Sequence, residues 1–273
     1  MTSTSEVAVD SFWTRLRGSL FRGGSATRSW AKERIESIAP EFRAQLGETP
    51  LLALTLLAPS RTPTTIVQDE GRRLIVFVHG LAGHRGNFLP MQTYFRWMGR
   101  PASVSIGFPT RNSIKEMAEH LKRTIEDLVR DNQLPADKCI DIVAHSMGGI
   151  ITRLALQDPQ VAARIHTVIT LATPHHGTQL ARYLDTLKVR ELQPNSDLLT
   201  ELSCQLPWGT DTQMPRLICY WTPKDLMLLP PRSAVVEGAE AVCVPESTHL
   251  GFILKPVVWE SIFRTLTPDL QLA

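Results

Sequence analysis

Ile140-Asp141-Ile142-Val143-Ala144-His145-Ser146-Met147-Gly148-Gly149-Ile150-Ile151 is the stretch from which the rest of the chain can be read. Ile140 to Ala144 reads as a strand, and Ile150, Ile151 and Leu154 continue as a helix. Between them, Ala144-His145-Ser146-Met147-Gly148 has the G-x-S-x-G pattern with alanine in place of the first glycine. A sharp strand-to-helix turn of this kind throws the serine into a strained backbone conformation and exposes its Oγ at the sheet edge. Small residues two before and two after it let neighbouring backbone pass close by, and Ala144 meets that need nearly as well as glycine. The turn opens a helix, so the Met147 amide points where the helix dipole points. Five residues alone are a weak signal. The strand before and the helix after them single out Ser146 as a candidate nucleophile rather than an ordinary serine in a tight turn.

The same alternation extends outward in both directions. Leu74-Ile75-Val76-Phe77-Val78 is a near-continuous apolar run, as expected of a strand buried on both faces. Phe88, Met91, Phe95 and Met98 recur at helical spacing, and a second strand is expected over 102–108. Ile114, Met117, Leu121, Ile125 and Leu128 form the stripe of a second helix that ends near Pro135. Further strands are expected at 166–172, 216–221 and 241–244, and Val257, Val258, Ile262 and Phe263 indicate a closing helix. Strands alternating with helices predict an α/β fold with a parallel sheet covered on both faces. No internal repeat is visible.

Other chemistry-bearing residues fall at the ends of these strands. The first strand runs into the glycine-flanked turn His79-Gly80-Leu81-Ala82-Gly83. Asp225 follows the fifth strand and His249 the sixth, at the strand ends where catalytic groups gather in open α/β sheets. Asp197 and Asp211 are alternative acids, and His175 and His176 alternative bases. His79, His84 and His145 read as structural, with His145 bracing the turn that carries Ser146. Between the fourth and fifth strands, 177–215 is rich in leucine: Leu180, Leu184, Leu187, Leu192, Leu198, Leu199, Leu202 and Leu206. It reads equally well as a small helical cap over the serine or as packing on the domain.

Composition excludes several classes. The 273 residues carry 29 basic and 27 acidic side chains, a net charge of +2, so no field suited to nucleic acid is implied. Hydrophobic residues make up 43% and charged residues 21%, an ordinary balance for a globular enzyme. A membrane-spanning helix needs roughly 20 apolar residues. The uncharged run from Thr49 to Ser60 is too short and contains two prolines. The opening residues lack a basic region followed by an apolar core, so no secretory leader is read there. Cys139, Cys204, Cys219 and Cys243 are far apart with no metal-binding spacing, and are expected to be small, buried, reduced thiols. These features predict a cytoplasmic setting. Residues 1–48 read as an N-terminal helical extension preceding a 49–273 catalytic-type domain. Six basic residues against one acidic between 11 and 34 make peripheral contact with an anionic membrane the sharper alternative to a helix packed on its own domain.

The set Val76-Phe77-Val78-His79-Gly80-Leu81-Ala82-Gly83, Val143-Ala144-His145-Ser146-Met147-Gly148-Gly149, Thr170-Leu171-Ala172-Thr173-Pro174-His175-His176-Gly177-Thr178, Pro223-Lys224-Asp225 and Ser247-Thr248-His249-Leu250-Gly251 resembles the lipase and esterase branch of the α/β-hydrolases. The resemblance covers roughly residues 72–266. The alanine-first elbow is similar to that of small bacterial lipases. The Pro174 to Thr178 run is similar to segments of bacterial triacylglycerol lipases and of GPI inositol-deacylase-like hydrolases. Leu192-Gln193-Pro194-Asn195-Ser196 resembles their lid-associated segment, with asparagine where glycine is usual.

The resemblance implies the chain order Ser, Asp, His. It assigns Ser146 as nucleophile, Asp225 as acid and His249 as base, with the backbone amides of Leu81 and Met147 forming the oxyanion hole. It implies a small-molecule or lipid ester as substrate, cleaved through an acyl-enzyme, with no cofactor. Some of these lipases hold a structural calcium through aspartates near the histidine loop. Gly251 and Phe252 follow His249 here with no acidic residue close by, so no metal is carried over. The competing readings are an acyltransferase or thioesterase with the same triad, and a catalytically idle hydrolase-fold module at a membrane surface. The intact triad argues against the last.

Overall fold

A computed structural model describes residues 72–109, 112–183, 186–205, 207–210 and 213–268, with Leu187 described in its backbone alone. The N-terminal extension, its proposed membrane contact and Asp211 lie outside the described residues.

Among the described residues six strands form the sheet: β1 (Leu74–Val78), β2 (Ser103–Ile106), β3 (Ile140–His145), β4 (Ile165–Leu171), β5 (Arg216–Trp221) and β6 (Glu240–Cys243). All pairings are parallel, in the order β2-β1-β3-β4-β5-β6. The chain therefore leaves β1 toward one edge and returns to place β3 on the other side of β1. The crevice between the carboxyl ends of β1 and β3 is the point where the strand order reverses, the preferred ligand position in open parallel sheets. Val78 pairs with Ala144, so the turn after β1 and the turn after β3 emerge side by side.

Side chains of successive β1 residues go to opposite faces. Leu74, Val76 and Val78 pack with α2 (Ile114–Asp131) and α3 (Met147–Ala155). Ile75 and Phe77 pack with α1 (Leu89–Trp97) and the closing helix α8 (Pro256–Leu266). Helix α2 begins cleanly because Ser113 and Glu116 form a reciprocal capping box: the Ser113 side chain accepts from the Glu116 amide, and the Glu116 carboxylate from the Ser113 amide. Its apolar stripe, Ile114, Met117, Leu121, Ile125 and Leu128, is buried as the spacing requires.

The closing helix is present as α8, with Val258, Ile262 and Phe263 in the core and Val257 exposed. One expectation needs correction. Of the four thiols, Cys139 and Cys219 are buried, whereas Cys204 and Cys243 are exposed; all four are free. Cys243 ends β6, whose residues are mostly exposed and whose outer edge has no strand partner among the described residues.

The leucine-rich insertion holds a 3-10 turn at Gln179–Tyr183, then α5 (Leu187–Arg190) and α6 (Asp197–Ser203). Leu192, Leu198, Leu199 and Leu202 are buried in the same cluster as α2 and α3. Two short helices follow or flank the remaining strands, α4 (Pro159–Arg164) and α7 (Gly251–Leu254). Among the described residues no helix is long and apolar enough to cross a membrane.

Candidate active site

The turn after β3 puts Ser146 at φ 54°, ψ −127°, a conformation that costs a non-glycine residue about 1–3 kcal/mol. The surroundings hold it there. The Ser146 amide donates to the Leu171 carbonyl at 2.9 Å, and the Gly149 amide closes onto the Ser146 carbonyl at 3.1 Å. The small residues around it are required by contact. A Cβ on Gly148 would lie 2.5 Å from the Val78 carbonyl oxygen, and one on Gly149 would collide with Thr173. Ala144, in place of the first glycine of the pattern, is fully buried in the sheet.

The turn after β1 lies directly against the serine. A Cβ on Gly80 would sit 2.7 Å from Ser146 Cβ and 3.3 Å from its Oγ, so only glycine lets this backbone approach so closely. The turn is closed by the Gly83 amide to the Gly80 carbonyl at 3.1 Å, with Ala82 in the left-handed region at φ 52°. His79 folds back onto its own turn, its Nδ1–H donating to the Gly80 carbonyl at 3.0 Å. Leu81 is exposed beside the serine turn.

Asp225 and His249 come together across the loops after β5 and β6. His249 Nδ1 lies 2.9 Å from Asp225 Oδ2 and 3.1 Å from Oδ1. Asp225 is 2% and His249 5% exposed, so the pair is shielded from water. A carboxylate only accepts, so Nδ1 carries the proton and Nε2 is left as the basic nitrogen. The carboxylate is itself fixed, since Oδ1 accepts from the amides of Met227 at 2.8 Å and Leu228 at 3.1 Å. The two loops are cross-tied by Thr222 Oγ1 donating to the Ser247 carbonyl at 3.2 Å. Lys224 also pairs with Glu246 at 2.8 Å.

Among the described residues no hydrogen bond joins Ser146 Oγ directly to His249. His145, the residue before Ser146, does reach the base: its ring lies 4.9 Å from the His249 ring and its Nε2 2.9 Å from the His249 carbonyl. Catalytic hydrogen bonds are often long without substrate and tighten in the reacting complex.

The alternative residues have other places. Asp197 opens α6 on the surface. His176 is exposed, with Nε2 3.0 Å from the Val235 carbonyl. His84 caps the 3-10 turn that precedes α1. His175 is buried, with Nε2 3.0 Å from Thr170 Oγ1 and Nδ1 3.4 Å from Arg153 Nη1. Arginine only donates, so His175 Nδ1 accepts and its proton sits on Nε2. Burial, and then the Arg153 charge, hold His175 well below the usual histidine range.

Arg153, seven residues beyond Ser146 on α3, was not singled out by the sequence. It is buried, and burial lowers its pKa to about 10. Its Nη2 donates to the Leu202 carbonyl at 2.6 Å and its Nε to Gln205 Oε1 at 3.2 Å, fastening α6 and the segment after it to the serine-bearing helix. A cation between Ile150-Ile151 and Leu154, on a helix that follows a buried strand, is the sequence signal that marks it.

Among the described residues no group of three or more His, Cys, Asp or Glu is placed to hold a metal ion.

Comparison with known proteins agrees with this architecture. Residues 68–188 match the family described as "Putative serine esterase (DUF676)", a span that includes Ser146 and the His79 to Gly83 turn and ends before Asp225 and His249. Over 67 residues the chain is 33% identical to a GPI inositol-deacylase of Cryptococcus neoformans, a stretch that makes up 23% of this chain and 9% of that protein. Among solved structures, the mature lipase BlEst2 of Bacillus licheniformis superposes with a TM-score of 0.64 at 18% identity, covering 77% of this chain and 99% of that one. Aspergillus fumigatus lipase B superposes with a TM-score of 0.60 at 15% identity, covering 75% and 55%. The chain has the α/β-hydrolase fold and resembles its lipase and esterase branch.

Proposed function

We propose that this protein is a serine hydrolase of carboxylic esters acting through an acyl-enzyme. The observation that carries the reading is the buried Asp225–His249 pair, bonded at the His249 carbonyl by His145, the residue before a serine held at positive φ on a strand-to-helix turn. The family match over 68–188 supports the same chemistry.

In this reading His249 Nε2 takes the Ser146 Oγ proton as Oγ attacks the ester carbonyl carbon. The carbonyl π electrons move onto oxygen, and the amides of Leu81 and Met147 bind that oxyanion. Collapse of the intermediate breaks the bond to the alcohol oxygen, which leaves with the proton from His249. Water then attacks the acyl-enzyme, giving its proton to His249. The acid departs and the proton returns to Ser146 Oγ. Asp225 keeps the His249 proton on Nδ1 and stabilises the imidazolium at both stages. Gly80 in contact with Ser146 supports the assignment of the following amide, Leu81, to the hole.

An apolar acyl chain is the proposed substrate feature, and 177–215 is proposed as a cap. Since Leu192, Leu198, Leu199 and Leu202 are core residues, selectivity would rest on what the segment exposes, Tyr183 among them, together with Leu81 and Met227. A panel of chromogenic esters from acetate to long acyl chains tests the reading. Wild type should hydrolyse them, and Ser146→Ala should fold yet retain only a residue of about 10³-fold over water. Turnover by Ser146→Ala near the wild-type rate would reject it.

A further inference from the structure

We propose that His145 is a positioning residue for the base: its ring N–H holds the main chain of His249 and so ties the base loop to the serine turn. The inference rests on the triad reading above, and it adds a role for a residue that the triad chemistry leaves unused.

His145 ends β3, one residue before Ser146. Its side chain is buried and crosses to the loop after β6, 104 residues along the chain, where Nε2 meets the His249 carbonyl at 2.9 Å. A carbonyl oxygen only accepts, so Nε2 must carry the proton and donate. Burial, then the neighbouring His249 and His79 rings, push the His145 pKa down to about 3, so the ring is neutral with a single N–H, and that N–H is spent on this bond. Other restraints on this loop act away from the His249 main chain, among them Thr222 Oγ1 on Ser247, Lys224 and Lys255 on Glu246, and Asp225 on the His249 ring. His145 thus supplies a side-chain bond from the serine turn to the His249 backbone itself. The rings also lie 4.9 Å apart, so His145 limits where the base can swing. Positional error of about 1 Å at a reacting group can cost about 10²-fold in rate.

The test separates the N–H from the bulk of the ring. His145→Gln can place an amide N–H near the Nε2 position; His145→Asn is too short to reach it; His145→Phe keeps the ring and loses the donor. We expect His145→Gln to stay within about threefold of wild-type kcat. His145→Phe and His145→Asn should lose about 10- to 100-fold in kcat with KM little changed. Equal loss in all three variants, or wild-type kcat in His145→Phe, would overturn the proposal. A second measurement needs no variant: long-range proton–nitrogen NMR of the wild-type protein should show His145 as the neutral Nε2–H form, and an Nδ1–H form or an imidazolium would overturn it. Failure of the triad reading looks different, since Ser146→Ala would then remain active.

Discussion

Ser146 occupies a backbone conformation that it would not choose, and the cost is met by contacts on every side. Gly80, Gly148 and Gly149 leave room that any Cβ would fill, and the Leu171 carbonyl takes the serine amide. This predicts that Gly80→Ala damages activity by moving the turn after β1 away from Ser146. Its Cβ would lie within 2.7 Å of Ser146 Cβ, so we expect loss of kcat in a protein that still folds. Wild-type kcat in Gly80→Ala, measured beside its unfolding temperature, would contradict that geometry. The acid is as closely specified. Asp225→Asn preserves shape but offers an amide to His249 Nδ1, so the imidazole is held in the wrong tautomer. Turnover should fall by roughly 10⁴-fold with the fold intact. If Asp225→Asn were nearly silent and Asp197→Asn or Asp211→Asn abolished activity, the acid would lie elsewhere.

At the scale of elements, what the sequence reveals depends on how local the signal is. Ser146 is legible because one strand, one turn and one helix, all contiguous, define it. Asp225 and His249 are legible as loop residues after successive strands, though the 2.9 Å contact between them is a property of the assembled sheet. The His145 bond to His249 spans 104 residues and the Arg153 to Gln205 bond spans 52, and no periodicity encodes such pairs. The leucines of 177–215 illustrate a related limit. A run of leucines says that apolar area will be buried, but not against what. Leu192, Leu198, Leu199 and Leu202 turn inward to the α2 and α3 side of the core, and Arg153 secures the Leu202 carbonyl there. Leu202→Ala should therefore cost about 2–5 kcal/mol of stability. It should leave the ratio of long-chain to short-chain ester hydrolysis unchanged below the unfolding transition. A shifted ratio with unchanged stability would mean that Leu202 faces substrate instead.

For the whole molecule, burial of neutral imidazoles links stability to pH. His145, at about 3, and His175, well below its usual range, remain unprotonated in the fold when the same residues in the unfolded chain bind protons near 6.5. A folded pKa below the unfolded one means that the unfolded chain binds more protons as the pH falls. Stability is then complete above pH ~6.5 and declines below it, by up to about 1.4 kcal/mol per pH unit for each residue. His145 alone should remove about 1.7 kcal/mol between pH ~6.5 and pH ~5, and His175 adds a loss of the same sign. Urea unfolding at the two pH values measures this, and His145→Gln should lessen the slope. A stability that does not change over that interval would show that neither ring is held neutral.

The parallel sheet brings the loops after its six described strands to one edge, and the proposed chemistry turns on what the loop after β3 does there. Reaction with a fluorophosphonate followed by peptide mass spectrometry reads it directly. The account predicts a single phosphonyl adduct on Ser146, loss of ester hydrolysis in step with labelling, and no adduct in Ser146→Ala. An adduct on a different residue, or undiminished hydrolysis in fully labelled protein, would contradict it.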